Sequence, residues 1–300
     1  MNSFSVSVII ITYNRLHFLK DALKSIHLQR LKPCEIIIVD DGSFQPVEKA
    51  FCYEARRLTD IPINFVRLKN SGPSAARNAG ARCACGNVLA FLDDDDFWDY
   101  GYLQTAVKYI SKHNYDLIIT WLNNIHGEKV SKGKQISFDF DKMDLFRRNN
   151  GIIGSNIIVK KKAFDTIGGF DPLLYISEDK DFLIRMKAQN AKIGVIENNL
   201  VYYRIHNHQK LCDWSLINDK KISGKERFLK KYWNVMPIST RRHLSGEIGF
   251  FYLMGSKSIS SRLYGLRKMI HSFPGYFCDA IKSLFSKLKV SIQLLLLTYK

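Results

Sequence analysis

The sequence predicts an α/β fold built on a mostly parallel central sheet. Over the first 121 residues, short β-branched apolar runs alternate with segments of helical periodicity, the pattern of right-handed βαβ units. Several of these runs are apolar at consecutive positions, as strands buried on both faces are. Polar and acidic residues follow the ends of several runs, which is where parallel sheets bind ligands.

Each predicted element follows from apolar spacing and flanking turn residues. The predicted strands cover 6–11, 35–39, 63–68, 87–92, 116–121 and 154–160, with an edge strand at 201–204. The predicted helices cover 15–29, 46–58, 73–81, 100–113 and 178–189. Residues 124–150 are polar and weakly patterned, which predicts a long connection. Beyond His206 the pattern becomes helical and basic.

Charge divides the 300-residue chain into two regions. The net charge is +17, but residues 206–300 hold 17 Lys and Arg against five Asp and Glu. We therefore expect an α/β domain over residues 1–208 and a basic helical region over 209–300. The 46% hydrophobic content excludes general disorder. Basic surfaces attract phosphate, in nucleic acid, anionic lipid or a phosphorylated substrate.

The cysteines and the N-terminal residues indicate in which cellular compartment the protein is expected. Six cysteines without a C-x-x-C pair give a zinc site little support and are expected to be reduced, mostly buried thiols of a cytosolic protein. The apolar run near the N-terminus is short and follows no basic stretch, so no signal peptide is predicted.

Asp93, Asp94, Asp95 and Asp96 are the sharpest feature of the sequence. Four adjacent carboxylates repel one another, and carboxylates are the oxygen ligands that Mg²⁺ and Mn²⁺ prefer. A solvated acidic turn is the alternative. The run follows an apolar strand and precedes Phe97 and Trp98, which favours a divalent-metal site.

Other strand ends and helix starts carry further candidates. Asp40 and Asp41 end the second strand, where they either form a tight turn or accept hydrogen bonds from a base or ribose. Arg77 lies near the start of a small-residue helix, as a phosphate contact or a solvated cation.

Further candidates lie in the second half of the predicted α/β domain. Glu178 and Asp179 begin a helix, where they either complement its dipole or supply a general base. His206 is either structural or, if it faces the aspartates, functional.

Together these segments resemble a family 2 glycosyltransferase, an inverting enzyme of the GT-A fold. The matching segments are 7–15, 38–43, 72–80, 91–96, 168–171, 178–179 and 203–206. Their order and spacing make the set specific, although each is only moderately specific alone. The resemblance covers about residues 5–208.

The resemblance implies a nucleotide-diphospho-sugar donor, a divalent metal and inversion at the anomeric carbon. The residues implied for the base, ribose and diphosphate are Thr12, Tyr13, Arg15, Asp40, Asp41, Arg77, Asp93 and Asp94. Asp93 and Asp95 match the ends of the D-x-D element, with Asp95 the principal Mg²⁺ or Mn²⁺ ligand and His206 a further one. Asp179 matches the catalytic base, with Glu178 beside it.

The expected reaction is hexosyl transfer from a nucleotide-sugar, with UDP the expected nucleotide, to a hydroxyl of a glycan or lipid-linked saccharide. The expected pathway is synthesis of a surface polysaccharide such as O-antigen, capsule or lipopolysaccharide. Residues 276–299 show the spacing of a basic amphipathic helix. A cytoplasmic protein held peripherally on the inner face of the plasma membrane is therefore expected, although the helix alternatively packs on the catalytic domain or on a second subunit.

Two other function classes compete. A basic nucleic-acid or lipid-surface binding module without catalysis leaves the acidic strand ends unexplained, and no interleaved aromatic and basic motif for nucleic acid is present. A sugar nucleotidyltransferase requires a glycine-rich, basic loop after the first strand, and residues 12–15 contain no glycine.

Overall fold

The chain forms two compact units, Met1–His208 and Gln209–Lys300, and each is described by itself. The computed structural model describes residues 4–137, 139–205, 219–256 and 258–272. His206 and the predicted helix at 276–299 lie outside the described residues.

The first unit is a nine-stranded sheet with helices on its faces. Its strands are β1 Val6–Thr12, β2 Glu35–Asp40, β3 Ile63–Arg67, β4 Val88–Asp93, β5 Phe97–Trp98, β6 Leu117–His126, β7 Lys129–Lys132, β8 Ile157–Lys160 and β9 Ile193–Arg204. Its helices are α1 Leu16–His27, α2 Val47–Leu58, α3 Pro73–Cys83, α4 Tyr102–His113, α5 Lys142–Arg147, α6 Lys161–Thr166 and α7 Glu178–Ala188.

The sheet is mostly parallel, as predicted. The strand order is β3-β2-β1-β4-β8-β6-β9-β5, with β7 paired to β6. β1 pairs in parallel with β2 and β4, β2 with β3, and β6 with β9. β5, β7 and β8 are the antiparallel strands. The carboxyl ends of β1, β2 and β4 therefore meet at one edge, and the polar residues that follow them share one crevice.

The core lies on both faces of the central strands. Residues 35–40 of β2 are all buried, as are the first five residues of β4. Leu19, Leu23 and Ile26 of α1 pack on one face. This two-sided burial explains why these strands are apolar at consecutive positions, without polar alternation.

The structure corrects three predicted elements. Residues 124–150 are not one long connection, since they hold the end of β6, all of β7 and α5. A short 3₁₀ turn, Gly154–Asn156, precedes β8. The predicted edge strand at 201–204 is the end of β9, which lies between β6 and β5. Long-range pairing, which local sequence patterns do not encode, decides these positions.

The second unit is helical in its described part. Its helices are α8 Asp219–Lys231, α9 Ile238–Gly255 and α10 Ile259–His271. α9 and α10 approach within backbone contact, since a Cβ at Gly249 would lie 2.6 Å from the Gly265 carbonyl oxygen. Among the described residues no helix has the length and apolar character needed to cross a membrane.

Candidate functional site

The four aspartates lie at the carboxyl end of β4 and the turn after it. Asp93 Oδ1 accepts a hydrogen bond from Arg77 Nη2 at 2.7 Å. Asp95 Oδ2 accepts one from Arg15 Nη1 at 2.8 Å, and Asp96 accepts one from the Ser155 hydroxyl. Two guanidinium groups from separate elements thus offset part of the repulsion between these carboxylates.

Asp94 differs from its neighbours because it points into the protein. Its exposed fraction is 1%, and its Oδ1 lies 3.5 Å from Arg15 Nε. Among the described residues, none donates to either of its oxygens in hydrogen-bond geometry. Burial raises the pKa of Asp94 to about 7, against the opposing effect of Arg15.

Arg77 on α3 connects the aspartates to the start of α7. It is 3% exposed, and its Nη1 donates to Glu178 Oε1 at 3.1 Å while Nη2 binds Asp93. Burial lowers its pKa, but the two carboxylates outweigh burial and raise it overall. The contact also depends on Gly154, because a Cβ there would collide with the Arg77 guanidinium.

Glu178 and Asp179 form the first turn of α7. The residue before them, Ser177, has a φ of 65°, a conformation that costs a non-glycine residue energy and often marks functional sites. Asp179 Oδ2 accepts a hydrogen bond from Asn149 Nδ2 at 2.7 Å. Burial raises the pKa of Glu178 to about 7, with Asp179 adding to the rise, and burial also raises the pKa of Asp179.

Asp40 and Asp41 hold the loops around the crevice in shape. The Asp40 carboxylate accepts from the Ser43 amide and pairs with Arg67. The Asp41 carboxylate accepts from the amides of Ser71 and Gly72 at 2.7 and 2.9 Å. Both aspartates are buried, and each accepts hydrogen bonds from more than one group of the surrounding loops and strands.

The loop after β1 places the remaining predicted donor residues. Thr12 is buried, and its carbonyl oxygen accepts from the Asp41 amide. Tyr13 is 38% exposed at the rim, and Arg15 reaches across to Asp94 and Asp95. The loop therefore presents one aromatic side chain outward and one cation inward.

Sequence reasoning missed three residues of the crevice. Ser155 donates to Asp96 and accepts from the Asp93 amide, and Asn149 contacts Asp179. Burial raises the pKa of Tyr175, and the nearby charges of Asp41 and Glu178 raise it further. None of the three lies in a recognisable motif, because they come from loops that only the fold brings to this edge.

The ligand chemistry of the aspartates fits a hard divalent ion, since Asp93 and Asp95 offer carboxylate oxygens and no described residue donates a hydrogen bond to either Asp94 oxygen. Within the described residues, three potential ligand atoms close enough to share one ion occur instead at Cys34, Glu35 and Cys85, at the opposite edge of the sheet.

The expectation of mostly buried cysteines is wrong for the described ones. Cys34, Cys83 and Cys85 are exposed and Cys52 is half-buried, because these residues lie in connections and at helix surfaces and not on the buried faces of the strands.

Comparison with known proteins agrees with this geometry. The family model "Glycosyl transferase family 2" matches residues 7–168, which includes the aspartates and Arg77. A second model, "N-terminal domain of galactosyltransferase", matches residues 134–209.

Relatives of the same class occur in several organisms. The chain is 32% identical to the uncharacterised glycosyltransferase YwdF of Bacillus subtilis over 60% of this chain and 67% of the relative. It is 26% identical to the uncharacterised glycosyltransferase alr2836 of Nostoc, over 90% and 89%. It is also 26% identical to the minor teichoic acid biosynthesis protein GgaA of Bacillus subtilis, over 72% of this chain and 50% of GgaA.

A solved structure shows the same fold. S. aureus TarS 1–349, crystallised with UDP-GlcNAc, superposes with a TM-score of 0.63 at 18% identity, over 91% of this chain and 80% of TarS 1–349. The parallel sheet, the aspartates at its carboxyl edge and the family match over more than half the residues lead to one conclusion: this chain belongs to glycosyltransferase family 2, with the GT-A fold.

Proposed function

We propose that the protein is an inverting hexosyltransferase that moves a sugar from a nucleotide-diphospho-sugar, with UDP as the nucleotide, to an acceptor hydroxyl. The observation that carries this proposal is the bridge of Arg77 between Asp93 and Glu178. This bridge joins the first residue of the aspartate run to the first turn of α7. The proposed donor-binding aspartates and the proposed general base Asp179 therefore lie in one crevice.

The donor would bind at the carboxyl edge of β1, β2 and β4. TarS has been crystallised with UDP-GlcNAc and with UDP, which supports a UDP-sugar here. Thr12, Tyr13 and Asp41 would surround the base and ribose. Arg77 and Arg15 would face the diphosphate, exchanging their present carboxylate partners in part for phosphate oxygens.

Asp95, Asp93 and His206 would hold a Mg²⁺ or Mn²⁺ ion, with Asp94 beside them and Asp40 holding the neighbouring loop through the Ser43 amide. When bound, the ion would neutralise charge on the leaving nucleoside diphosphate. Arg77 would do the same from the protein side, because its buried guanidinium is already fixed by two carboxylates and needs little reorganisation.

Asp179 would act as the general base. It would accept the proton of the acceptor hydroxyl while that oxygen attacks the anomeric carbon from the face opposite the leaving group, which inverts the configuration. Asn149 fixes one Asp179 oxygen and the Lys180 amide the other. Glu178 would keep Arg77 oriented.

The acceptor would be a glycan or lipid-linked saccharide used to build a surface polysaccharide. The likeness to a teichoic acid biosynthesis protein supports a cell-envelope polymer, of which O-antigen, capsule and lipopolysaccharide are other examples. Residues 276–300 would hold the protein on the inner face of the plasma membrane, and deletion of that segment should release it from the membrane fraction.

A donor screen tests the proposal. Purified protein is incubated with UDP-, GDP- and dTDP-sugars, with Mn²⁺, Mg²⁺ or EDTA, and nucleoside diphosphate release is measured. We expect slow metal-dependent hydrolysis of one UDP-sugar. Salt-sensitive binding of polynucleotide without any hydrolysis would favour a nucleic-acid binding module, and release of pyrophosphate from a nucleoside triphosphate would favour a nucleotidyltransferase.

A further inference from the structure

A basic pocket between α9 and α10 in the second unit is separate from every residue assigned above. Its volume is about 450 Å³, within the range of small-ligand sites. The residues that line it are Trp233, Ile238, Arg241, Arg242, Ser245, Tyr264, Arg267, Lys268, His271 and Ser272. Four of these carry permanent positive charge, and none is acidic.

Two helix faces build this pocket. α9 contributes positions 238, 241, 242 and 245, and α10 contributes 264, 267, 268 and 271. Both sets follow i, i+3, i+4, i+7 spacing, so each is one continuous stripe on its helix. The close approach of Gly249 and Gly265 fixes the two helices against each other, so the stripes face a common space.

The cations of α9 lie at the unfavourable end of their helix. α9 begins at Ile238 and has no acidic residue in its first turn. Arg241 and Arg242 therefore meet the positive end of the helix dipole, which favours anions and disfavours cations. A bound anion would offset both the dipole and the arginines.

Within the part of the second unit that the structure describes, few of these positive charges are neutralised by an acidic side chain. Lys268 pairs with Glu226 at 3.3 Å. Arg241 donates to the Met236 carbonyl and lies over the Trp233 ring, which orders the side chain without removing its charge. Arg242 and Arg267 are exposed and have no ion-pair partner in the described part of the chain.

The aromatic residues define the kind of anion. Trp233 and Tyr264 are 45% exposed each and stand beside the cations. Aromatic rings with guanidinium groups suit a phosphate joined to a sugar or polyol, since the ring packs on the carbon skeleton while arginine grips the phosphate. The C-terminal segment 276–300, with four lysines and one aspartate, is electrostatically unsuited to this pocket.

We infer that this pocket binds a phosphate or diphosphate group carried by a sugar or polyol. This inference goes beyond the proposed transferase function and does not depend on it, because every residue it uses lies in the second unit. The excess of Lys and Arg in the second unit would then serve a specific phosphate ligand and not only a general attraction to anions.

The test uses the full-length protein without a donor. Binding of inorganic pyrophosphate and of a short glycerol phosphate oligomer is measured by calorimetry for the unaltered protein and for the double variant Arg242→Gln/Arg267→Gln. The matched control is Arg227→Gln/Lys230→Gln, which removes two exposed cations of α8 outside the pocket. We expect at least a tenfold rise in Kd for the pocket variant and no change for the control.

A third arm separates a soluble phosphate group from a membrane headgroup. Vesicles of phosphatidylcholine with and without phosphatidylglycerol are tested with the same proteins. Equal loss of pyrophosphate affinity in both double variants, or a pocket variant that loses only vesicle binding, would overturn the inference. No donor is present in these experiments, so their outcome is independent of whether the donor screen succeeds.

Discussion

The two units of this protein use charge in opposite ways. In the first unit the acidic residues of the crevice are buried or half-buried, and several meet guanidinium groups, as Asp93 meets Arg77 and Asp95 meets Arg15. In the second unit cations such as Arg242 and Arg267 are exposed and line a pocket to which the described residues contribute no acidic side chain.

This difference indicates two kinds of site. Buried, mutually compensated ions are held in fixed positions, which suits stabilisation of charge that develops during a reaction. Exposed cations on one surface suit capture of an anion that arrives from solution. The net charge of +17 thus combines two properties of separate origin.

The largest expected effect concerns Asp179, the proposed general base. Asp179→Asn should retain donor binding and lower kcat by about 10³-fold or more, since general-base catalysis supplies roughly 10²–10⁴-fold. Steady-state kinetics with an acceptor and the nucleotide-sugar identified in the donor screen would measure the loss. Asp165→Asn, which changes an exposed residue of α6, is the control. Full transfer activity in Asp179→Asn would remove Asp179 from the mechanism.

Loss of Arg77 tests the compensated charges. Arg77→Ala leaves Asp93 and Glu178 without their buried partner, and removal of one member of a buried pair costs about 3–5 kcal/mol. Urea denaturation would measure the fall in the free energy of unfolding. Arg82→Ala on the same helix is exposed and should change stability by less than about 0.5 kcal/mol; equal effects of both changes would contradict the buried-pair interpretation.

The buried carboxylate Asp94 should make stability depend on pH. Its folded pKa of about 7 exceeds the unfolded value of about 3.9. Between these values the folded state keeps a proton that the unfolded state loses, so stability falls as pH rises from about 4 to 7.

Asp94→Asn should remove this pH dependence. The dependence amounts to at most about 1.4 kcal/mol in the free energy of unfolding for each pKa unit of the shift. Denaturation at pH 5 and pH 8 would show it as a smaller stability difference than in the unaltered protein. Asp60→Asn, at an exposed position, is the control, and an unchanged difference in Asp94→Asn would show that Asp94 does not carry the effect.

The smallest expected effect is confined to the second unit. Gly265→Ala forces a Cβ against the Gly249 carbonyl oxygen, and overpacking of this kind costs about 1–3 kcal/mol. Hydrogen exchange should speed up in α9 and α10 while the amides of β1 and β4 stay protected. Ser261→Ala on α10 is the matched control. Equal deprotection of both units would show that they do not differ in local stability.

Much of the first unit follows from local sequence. The strands at residues 6–12, 35–40 and 88–93 are apolar at consecutive positions because both faces are buried, and that pattern is visible without a structure. The placement of Asp41 and Asp93 at strand ends is equally local. Their meeting at one sheet edge follows from parallel pairing.

The partners of these residues do not follow from local sequence. Nothing near Arg77 in the chain predicts that it binds Glu178, 101 positions away. Nothing near Asn149 predicts its contact with Asp179. The exposed group of Cys34 and Cys85 is equally non-local, with the two sulfurs 3.9 Å apart across 51 positions.

By itself the sequence determined the α/β class, the acidic strand ends and the uneven charge, because burial pattern and composition are properties of consecutive residues. Only the tertiary structure decided which cation faces which carboxylate, that α9 and α10 align their basic stripes, and that 201–204 lies inside the sheet. These depend on contacts between distant segments, where the low dielectric of the interior makes the pairing of charges decisive.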